Sequence, residues 1–157
     1  MPKRIFDKLD NLEIDYKNYE HNPTFSCDDA KWVEIPGKRV KSLFIRNKKK
    51  TQYYMIVLWD DKKLDTNIIR EYFSDTKMSF SSQEDMFEKI WVKIWHVSPF
   101  ALINNIQKDI IVGFDSELKW LEIGFHPLRN DNTVVLNMDD VEKFLENENI
   151  RFEFIKL

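Results

Sequence analysis

The sequence predicts a mixed α/β (α+β) fold, a central and mostly antiparallel mixed sheet with helices packed on it. Three observations carry that expectation. Two strand-like runs, Val40 to Ile45 and Tyr53 to Trp59, bracket the polar link Arg46 to Gln52, as in a β-hairpin. Amphipathic segments with capping residues are interleaved with strands, but without a strict βαβ repeat. With 3 glycines in 157 residues the chain has no glycine-rich phosphate loop, which counts against nucleotide-cofactor folds. Its size, with 43% hydrophobic and 14% aromatic residues, fits one domain over 1–157, and neither a repeat nor a Pro/Gly-rich linker divides it.

In chain order, Ile5, Phe6, Leu9 and Leu12 recur at helical spacing. Ser26 and Asp29 resemble an N-cap arrangement ahead of Ala30, Trp32 and Val33, which predicts a second helix. After the hairpin, Asp65 can cap a helix bearing Ile68, Ile69, Tyr72 and Phe73, and Ser81 to Glu84 read as a capping box before Met86, Phe87 and Ile90. Strand-like segments follow at Asp109 to Phe114 and Asn132 to Asn137. Asp139 is expected to cap a last helix presenting Val141, Phe144 and Leu145, and Ile150 to Leu157 alternates near a strand period. The acidic pairs Asp28–Asp29 and Asp139–Asp140 read as helix starts and Asp60–Asp61 as a turn, so none is taken as an acid/base dyad.

The longest apolar run, Tyr53 to Trp59, is far short of the roughly 20 residues that cross a bilayer as a helix, so no membrane span is expected. The N-terminus lacks the pattern of a secretory signal, and the expected location is the cytoplasm. A lone cysteine, Cys27, and three histidines give neither a disulfide nor a metal-ligand spacing, so no metal or cofactor is expected, and Cys27 reads as a small hydrophobe. The net charge of −3 hides an uneven distribution. Lys38, Arg39, Lys41, Arg46, Lys48, Lys49 and Lys50 fall in thirteen residues with no acidic one, leaving 17 basic against 27 acidic elsewhere. Such a focus can hold phosphates, although a lysine-rich turn is also an ordinary solvated hairpin tip.

Lined up in order, five strings resemble the YbaK/ProX family, which includes the editing domain of bacterial-type prolyl-tRNA synthetases. His21-Asn22-Pro23-Thr24-Phe25-Ser26 is similar to the family's His-Pro-Pro-Val-Phe-Thr. Lys41-Ser42-Leu43-Phe44-Ile45-Arg46-Asn47-Lys48 is similar to Lys-Asn-Leu-Phe-Leu-Arg-Asp-Lys. Met78 to Glu84 matches Leu-Ser-Phe-Ala-Ser-Glu-Glu, and Val97 to Asn104 matches Val-Thr-Pro-Phe-Gly-Leu-Ile-Asn. Gly124-Phe125-His126-Pro127 with Asn132-Thr133 follows the Phe-His-Pro and Asn-Thr signature.

The resemblance implies a metal-independent trans-editing hydrolase that cleaves the ester of a mischarged tRNA(Pro), with tRNA and a prolyl-tRNA synthetase as partners. The Phe-His-Pro string points to alanyl-tRNA(Pro). Cysteinyl-tRNA(Pro) and a catalytically silent tRNA- or synthetase-binding module are the alternatives. Lys41 and His126 match the family's functional positions, Lys41 as an ammonium for a phosphate or the carbonyl and His126 as a donor and acceptor for the substrate. His21, Ser42, Phe44, Trp95, Ser98, Pro99, Phe100 and Ala101 fall in strings expected at the substrate. Lys38, Arg39, Arg46, Lys48, Lys49 and Lys50 are the expected tRNA contacts. The chain departs from the family at Ser42, where the pattern has asparagine, and at Trp91 and Trp95, where it has glycines expected to let backbone approach the ligand. Trp95 could narrow the pocket and favour alanine over proline, stack on adenine, or block the site. Ala101 for glycine and Asn105 for aspartate are milder changes.

Overall fold

The structure is a computed structural model that describes residues 2–25 and 34–157. The helix expected from Ser26 onward, with Cys27 and the Asp28–Asp29 pair, lies outside the described residues, as does the side chain of Trp95.

Helix α1 (Pro2–Asn11) buries Ile5 and Leu9 on one face, as their spacing requires, and leads to strand β1 (Lys17–Glu20). Strands β2 (Lys38–Asn47) and β3 (Tyr53–Trp59) form the antiparallel hairpin, with Val40 opposite Trp59 and Arg46 opposite Tyr53. Helix α2 (Thr66–Tyr72) starts at the expected cap, where Asp65 accepts the Asn67 N–H. After β4 (Met78–Phe80), helix α3 (Gln83–Ile90) starts one residue later than the capping-box reading places it. Ser82, not Ser81, accepts the Asp85 N–H at 3.0 Å, because the Ser81 N–H is held by the Phe44 carbonyl of β2.

Two short 3-10 turns, Ile94–His96 and Pro99–Asn104, connect to β5 (Ile110–Asp115), which begins one residue beyond the expected start. Strands β6 (Glu122–Phe125) and β7 (Asn132–Asn137) follow, and β7 passes directly into helix α4 (Met138–Asn147). That continuity corrects the cap assignment. Asn137 occupies the N-cap without a side-chain bond, while Asp139 and Asp140 lie in the first turn, where carboxylates favour the helix dipole. Strand β8 (Phe152–Ile155) ends the sheet.

Among the described residues eight strands pair in the order β1-β7-β6-β2-β3-β5-β8, with β4 also on β2. Four pairings are antiparallel (β1–β7, β2–β3, β2–β4, β6–β7) and three parallel (β2–β6, β3–β5, β5–β8). Central β3 is buried on both faces, which explains its unbroken apolar run. Its Tyr53, Met55 and Val57 enter the larger core with α1, α3, α4 and the 99–104 turn, and its Tyr54, Ile56 and Leu58 enter a smaller core under α2. No helix among the described residues is long and apolar enough to cross a membrane.

Candidate active site

The site is made by a strand that changes partners. Along one edge β2 runs against β3 throughout. Along the other edge, Lys38 and Arg39 pair with β6, and Ile45 to Asn47 pair with β4. Among the described residues no strand lies beside the backbone between them. The Asp60 N–H bonds the Arg39 carbonyl and the Ser81 N–H bonds the Phe44 carbonyl, so odd-numbered residues of β2 turn their backbone groups toward β3 and even-numbered ones turn away. The N–H and C=O of Ser42 therefore point into the split, with no strand partner among the described residues.

A cavity of about 290 Å³ opens there, floored by residues 37–43 and walled by Val97, Ser98, Phe125, His126, His21 and Thr133. Gly37 starts this floor at φ +94, a left-handed conformation, and a Cβ there would sit 3.1 Å from Val135 Cγ1. Among the described residues the Lys41 ammonium has neither a hydrogen-bond nor an ion-pair partner, although Lys41 is half-buried in the cavity lining.

His126 faces Lys41's strand across the cavity from the end of β6. Its Nδ1 lies 2.9 Å from the Asn132 carbonyl, which can only accept. The ring is therefore held as the Nδ1–H tautomer, leaving the Nε2 lone pair unused by any described residue. Burial lowers its pKa below the ordinary histidine value; the Asn132 hydrogen bond opposes this, and His21 and His96 add to the lowering. At neutral pH the site thus holds a neutral imidazole. The backbone beneath is pinned as well, since the buried Ser98 hydroxyl donates to the His126 carbonyl at 2.6 Å.

His21 lines the same cavity with its ring centroid 6.2 Å from that of His126. Its nitrogens are spent on structure, Nδ1 on the Asn22 carbonyl at 2.7 Å and Nε2 near Thr133 Oγ1 at 2.9 Å. The surrounding string has a positioning role that the sequence reading missed. His21 N–H bonds the Asp131 carbonyl, Thr24 N–H bonds the Asn130 carbonyl, and the Asn130 side chain returns a bond to the Thr24 carbonyl. The two histidine-containing strings are thereby clamped together.

The other expected substrate residues divide. Lys41, Ser42 and Ser98 line the cavity, whereas Phe44, Pro99, Phe100 and Ala101 are buried and do not. Phe44 stacks on Tyr53, and Phe100 meets Phe125 and Phe144 edge-on, so the pair Phe100–Phe125 supports the residue preceding His126 from behind. Trp95 occupies the 94–96 turn, next to Ile94 of the cavity wall. Trp91 is not at the cavity. It ends α3 at φ +58 and is half-exposed, so the glycine of the family pattern answers there to a left-handed helix cap and not to ligand approach.

The expected tRNA contacts also separate. Lys38 and Arg39 line the cavity, with Lys38 Nζ over the Trp59 ring. Arg46 bonds the Asn47 carbonyl, and Lys50 pairs with Asp85 at 3.4 Å. Lys48, Lys49 and Lys50 are exposed at the hairpin tip, and the six residues from Lys41 to Asn47 place it about 20 Å from Lys41. Asp60, read from the sequence only as a turn residue, lines the cavity, and the hairpin register holds the signal: with Lys41 opposite Leu58, Asp60 falls opposite Arg39. No group of three or more His, Cys, Asp or Glu suited to a metal ion occurs among the described residues.

An ammonium and a backbone N–H without partners among the described residues, with a neutral imidazole, all lining one small cavity, suit the hydrolysis of an acyl bond. The chain belongs to the aminoacyl-tRNA editing domain family, whose model matches residues 21–144. The prolyl-tRNA editing protein ProX of Acetoanaerobium sticklandii is 31% identical over 156 residues, covering 98% of this chain and 95% of that protein. The prolyl-tRNA synthetase associated domain-containing protein 1 of Bos taurus is 26% identical, over 89% of this chain and 85% of that one. Two solved structures share the fold. The hypothetical protein APE2540 superposes with a TM-score of 0.75 at 15% identity, over 97% of this chain and 98% of that one. A candidate trans-editing enzyme for prolyl-tRNA synthetase superposes with a TM-score of 0.71 at 16% identity, over 99% and 96%.

Proposed function

We propose that this chain is a trans-editing deacylase that hydrolyses alanyl-tRNA(Pro). The observation that carries the reading is the split beside β2, where Lys41, the unpaired Ser42 backbone and His126 face a single cavity. An aminoacyl ester is already activated, so the protein has mainly to orient a water and stabilise the oxyanion. In this reading the carbonyl oxygen is received by the Ser42 N–H with Lys41 supplying positive charge. His126 Nε2 accepts a hydrogen bond from the attacking water. The water oxygen bonds the carbonyl carbon, the ester C–O bond breaks, and the proton lost by water ends on the ribose 3′-oxygen.

Nothing in these steps calls for a metal, and turnover should survive EDTA. The apolar part of the wall, Ile94, Val97 and Phe125, suits a methyl side chain. The ProX relative's name supports tRNA(Pro) as the tRNA that carries the substrate, and the names of the synthetase-associated relatives support a prolyl-tRNA synthetase as partner. In this reading Lys48 and Lys49, exposed about 20 Å away, contact the acceptor stem and not the terminal adenosine.

The test is single-turnover deacylation of alanyl-, cysteinyl- and prolyl-tRNA(Pro) by the wild type and Lys41→Ala. Loss of alanine alone, reduced at least about 100-fold in Lys41→Ala, is expected. Preference for the cysteinyl ester would reassign the substrate, and tRNA binding with no turnover of any ester would make the chain a binding module.

A further inference from the structure

Asp60 sits in the cavity wall without a role in the steps above. Its side chain is 4% exposed, and among the described residues no hydrogen bond reaches its oxygens. A buried carboxylate ordinarily collects several donors, because leaving it bare is costly. The nearest cation is Arg39, whose Nε lies 3.5 Å from Asp60 Oδ2, longer than the roughly 2.7–2.9 Å of a charge-assisted hydrogen bond. Arg39 is itself 39% exposed. Lys38, the next candidate, is directed over the Trp59 ring. Lys41 shares a face of the hairpin with Asp60 as a diagonal neighbour, about 7–8 Å away along the backbone, yet forms no ion pair with it. The hairpin thus sets two basic side chains, Arg39 and Lys41, on the face that carries this carboxylate and leaves its acceptor capacity open.

We propose that Asp60 receives the substrate's α-ammonium group, an assignment that rests on the deacylase reading. An aminoacyl ester carries an ammonium one carbon from the carbonyl. With the carbonyl at Ser42 N–H and Lys41, the ammonium is directed along the same face toward Asp60, and the diagonal spacing leaves room for the α-carbon between the two charges. Recognition of the ammonium would let the site distinguish an aminoacyl ester from other esters on a tRNA end, while the apolar wall reads the side chain.

The test compares alanyl-tRNA(Pro) with lactyl-tRNA(Pro), in which a hydroxyl replaces the ammonium, each rate divided by its own uncatalysed hydrolysis. The wild type should favour the alanyl ester by about 10-fold or more, the range of a hydrogen bond to a charged group. Asp60→Asn, of the same shape but uncharged, should bring that ratio close to one, and Asp60→Glu should retain part of it. A wild-type ratio near one overturns the assignment whether or not the variant folds. So does an Asp60→Asn protein that slows both esters equally, the mark of a merely structural pair with Arg39. If the wild type hydrolyses neither ester, the editing reading itself fails and the assignment falls with it.

Discussion

Replacing Ser98 by alanine tests whether the His126 loop is held from below. Ser98 is 1% exposed, and its hydroxyl donates to the His126 carbonyl at 2.6 Å. Alanine removes one oxygen and leaves no cavity of consequence, so the loss is that of the hydrogen bond alone. If water from the cavity takes over the carbonyl the cost is about 1 kcal/mol, and if the carbonyl stays dry it approaches about 2 kcal/mol. At about 2.1 cal/mol/K per residue, a chain of 157 residues loses about 3 °C of melting temperature per kcal/mol, which predicts a drop of about 3–6 °C. The ring remains bonded to the Asn132 carbonyl, so His126 is loosened and not released. The single-turnover rate on alanyl-tRNA(Pro) should fall about 3- to 10-fold at saturating enzyme, with little change in half-saturation. Calorimetry and deacylation at 25 °C, where the variant is still folded, read the two effects separately. A melting point within about 1 °C of wild type together with an unchanged rate would refute the supporting role.

Outcomes at three further positions follow from the structure. Because burial lowers the His126 pKa, the deacylation rate should stay level on the acid side through the ordinary histidine range near pH 6.5 and fall only below it; a fall centred at about 6.5 would contradict the buried, neutral ring. The unfolded chain binds that proton more readily, so stability should also decline as pH drops below about 6.5, and His126→Asn, whose amide can still meet the Asn132 carbonyl, should flatten that slope in denaturant titrations. Asp75 accepts from the Tyr54 hydroxyl at 2.7 Å and from Asn47, and Asp75→Ala removes the acceptor of that part-buried hydroxyl, costing about 1–2 kcal/mol by urea unfolding. Burial raises the Asp75 pKa, but its hydrogen bonds from Tyr54, Thr76 and Asn47 outweigh that and lower it; the stability it contributes is present above about pH 4 and lost as pH falls through the folded value, so Asp75→Asn should blunt acid unfolding. Trp91→Gly removes a left-handed conformation worth about 1–2 kcal/mol from a half-exposed tryptophan, and should raise the melting temperature by a few degrees; a lower value would mean the indole packs better than its exposure implies.

Local chemistry was legible in the sequence wherever one residue's neighbours decide its state. The hairpin is one case, since β-branched and aromatic runs around a lysine-rich link leave few alternatives, and Asp65 is another, since a cap needs only the next turn. Asp139 misled for the same reason. A carboxylate at a helix start looks like a cap unless one knows that β7 delivers Asn137 to that position first. The motif strings marked segments that meet around the cavity but not the direction of each side chain. Phe44 follows Lys41 by three residues in a strand, so the alternation that sends Lys41 toward one face sends Phe44 to the other, against Tyr53. Pro99, Phe100 and Ala101 belong to a buried turn whose contribution to the site passes through Phe125.

What no local pattern could express is the change of partner along β2, because it depends on β6 and β4, which lie some 80 and 40 residues away in the chain, arriving at opposite ends of one edge. On the proposed function, that arrangement would let a deacylase site be built without a protein nucleophile. A sheet edge ordinarily exposes backbone groups that invite pairing with another chain. Here the flanking strands shield the edge and limit it to about one residue's N–H and C=O, at a position walled by Ser98 and His126. The same geometry sets the tolerance of residue 42. If the backbone is what receives the carbonyl oxygen, serine in place of the family's asparagine changes only the side chain above it, and Ser42→Ala should deacylate at close to the wild-type rate. Ser42→Pro, which deletes the N–H on the edge where no ladder bond is lost, should lose about 10²–10³ in rate while remaining folded by circular dichroism. Equal rates in both variants would remove the backbone from the chemistry and leave Lys41 to stabilise the oxyanion alone.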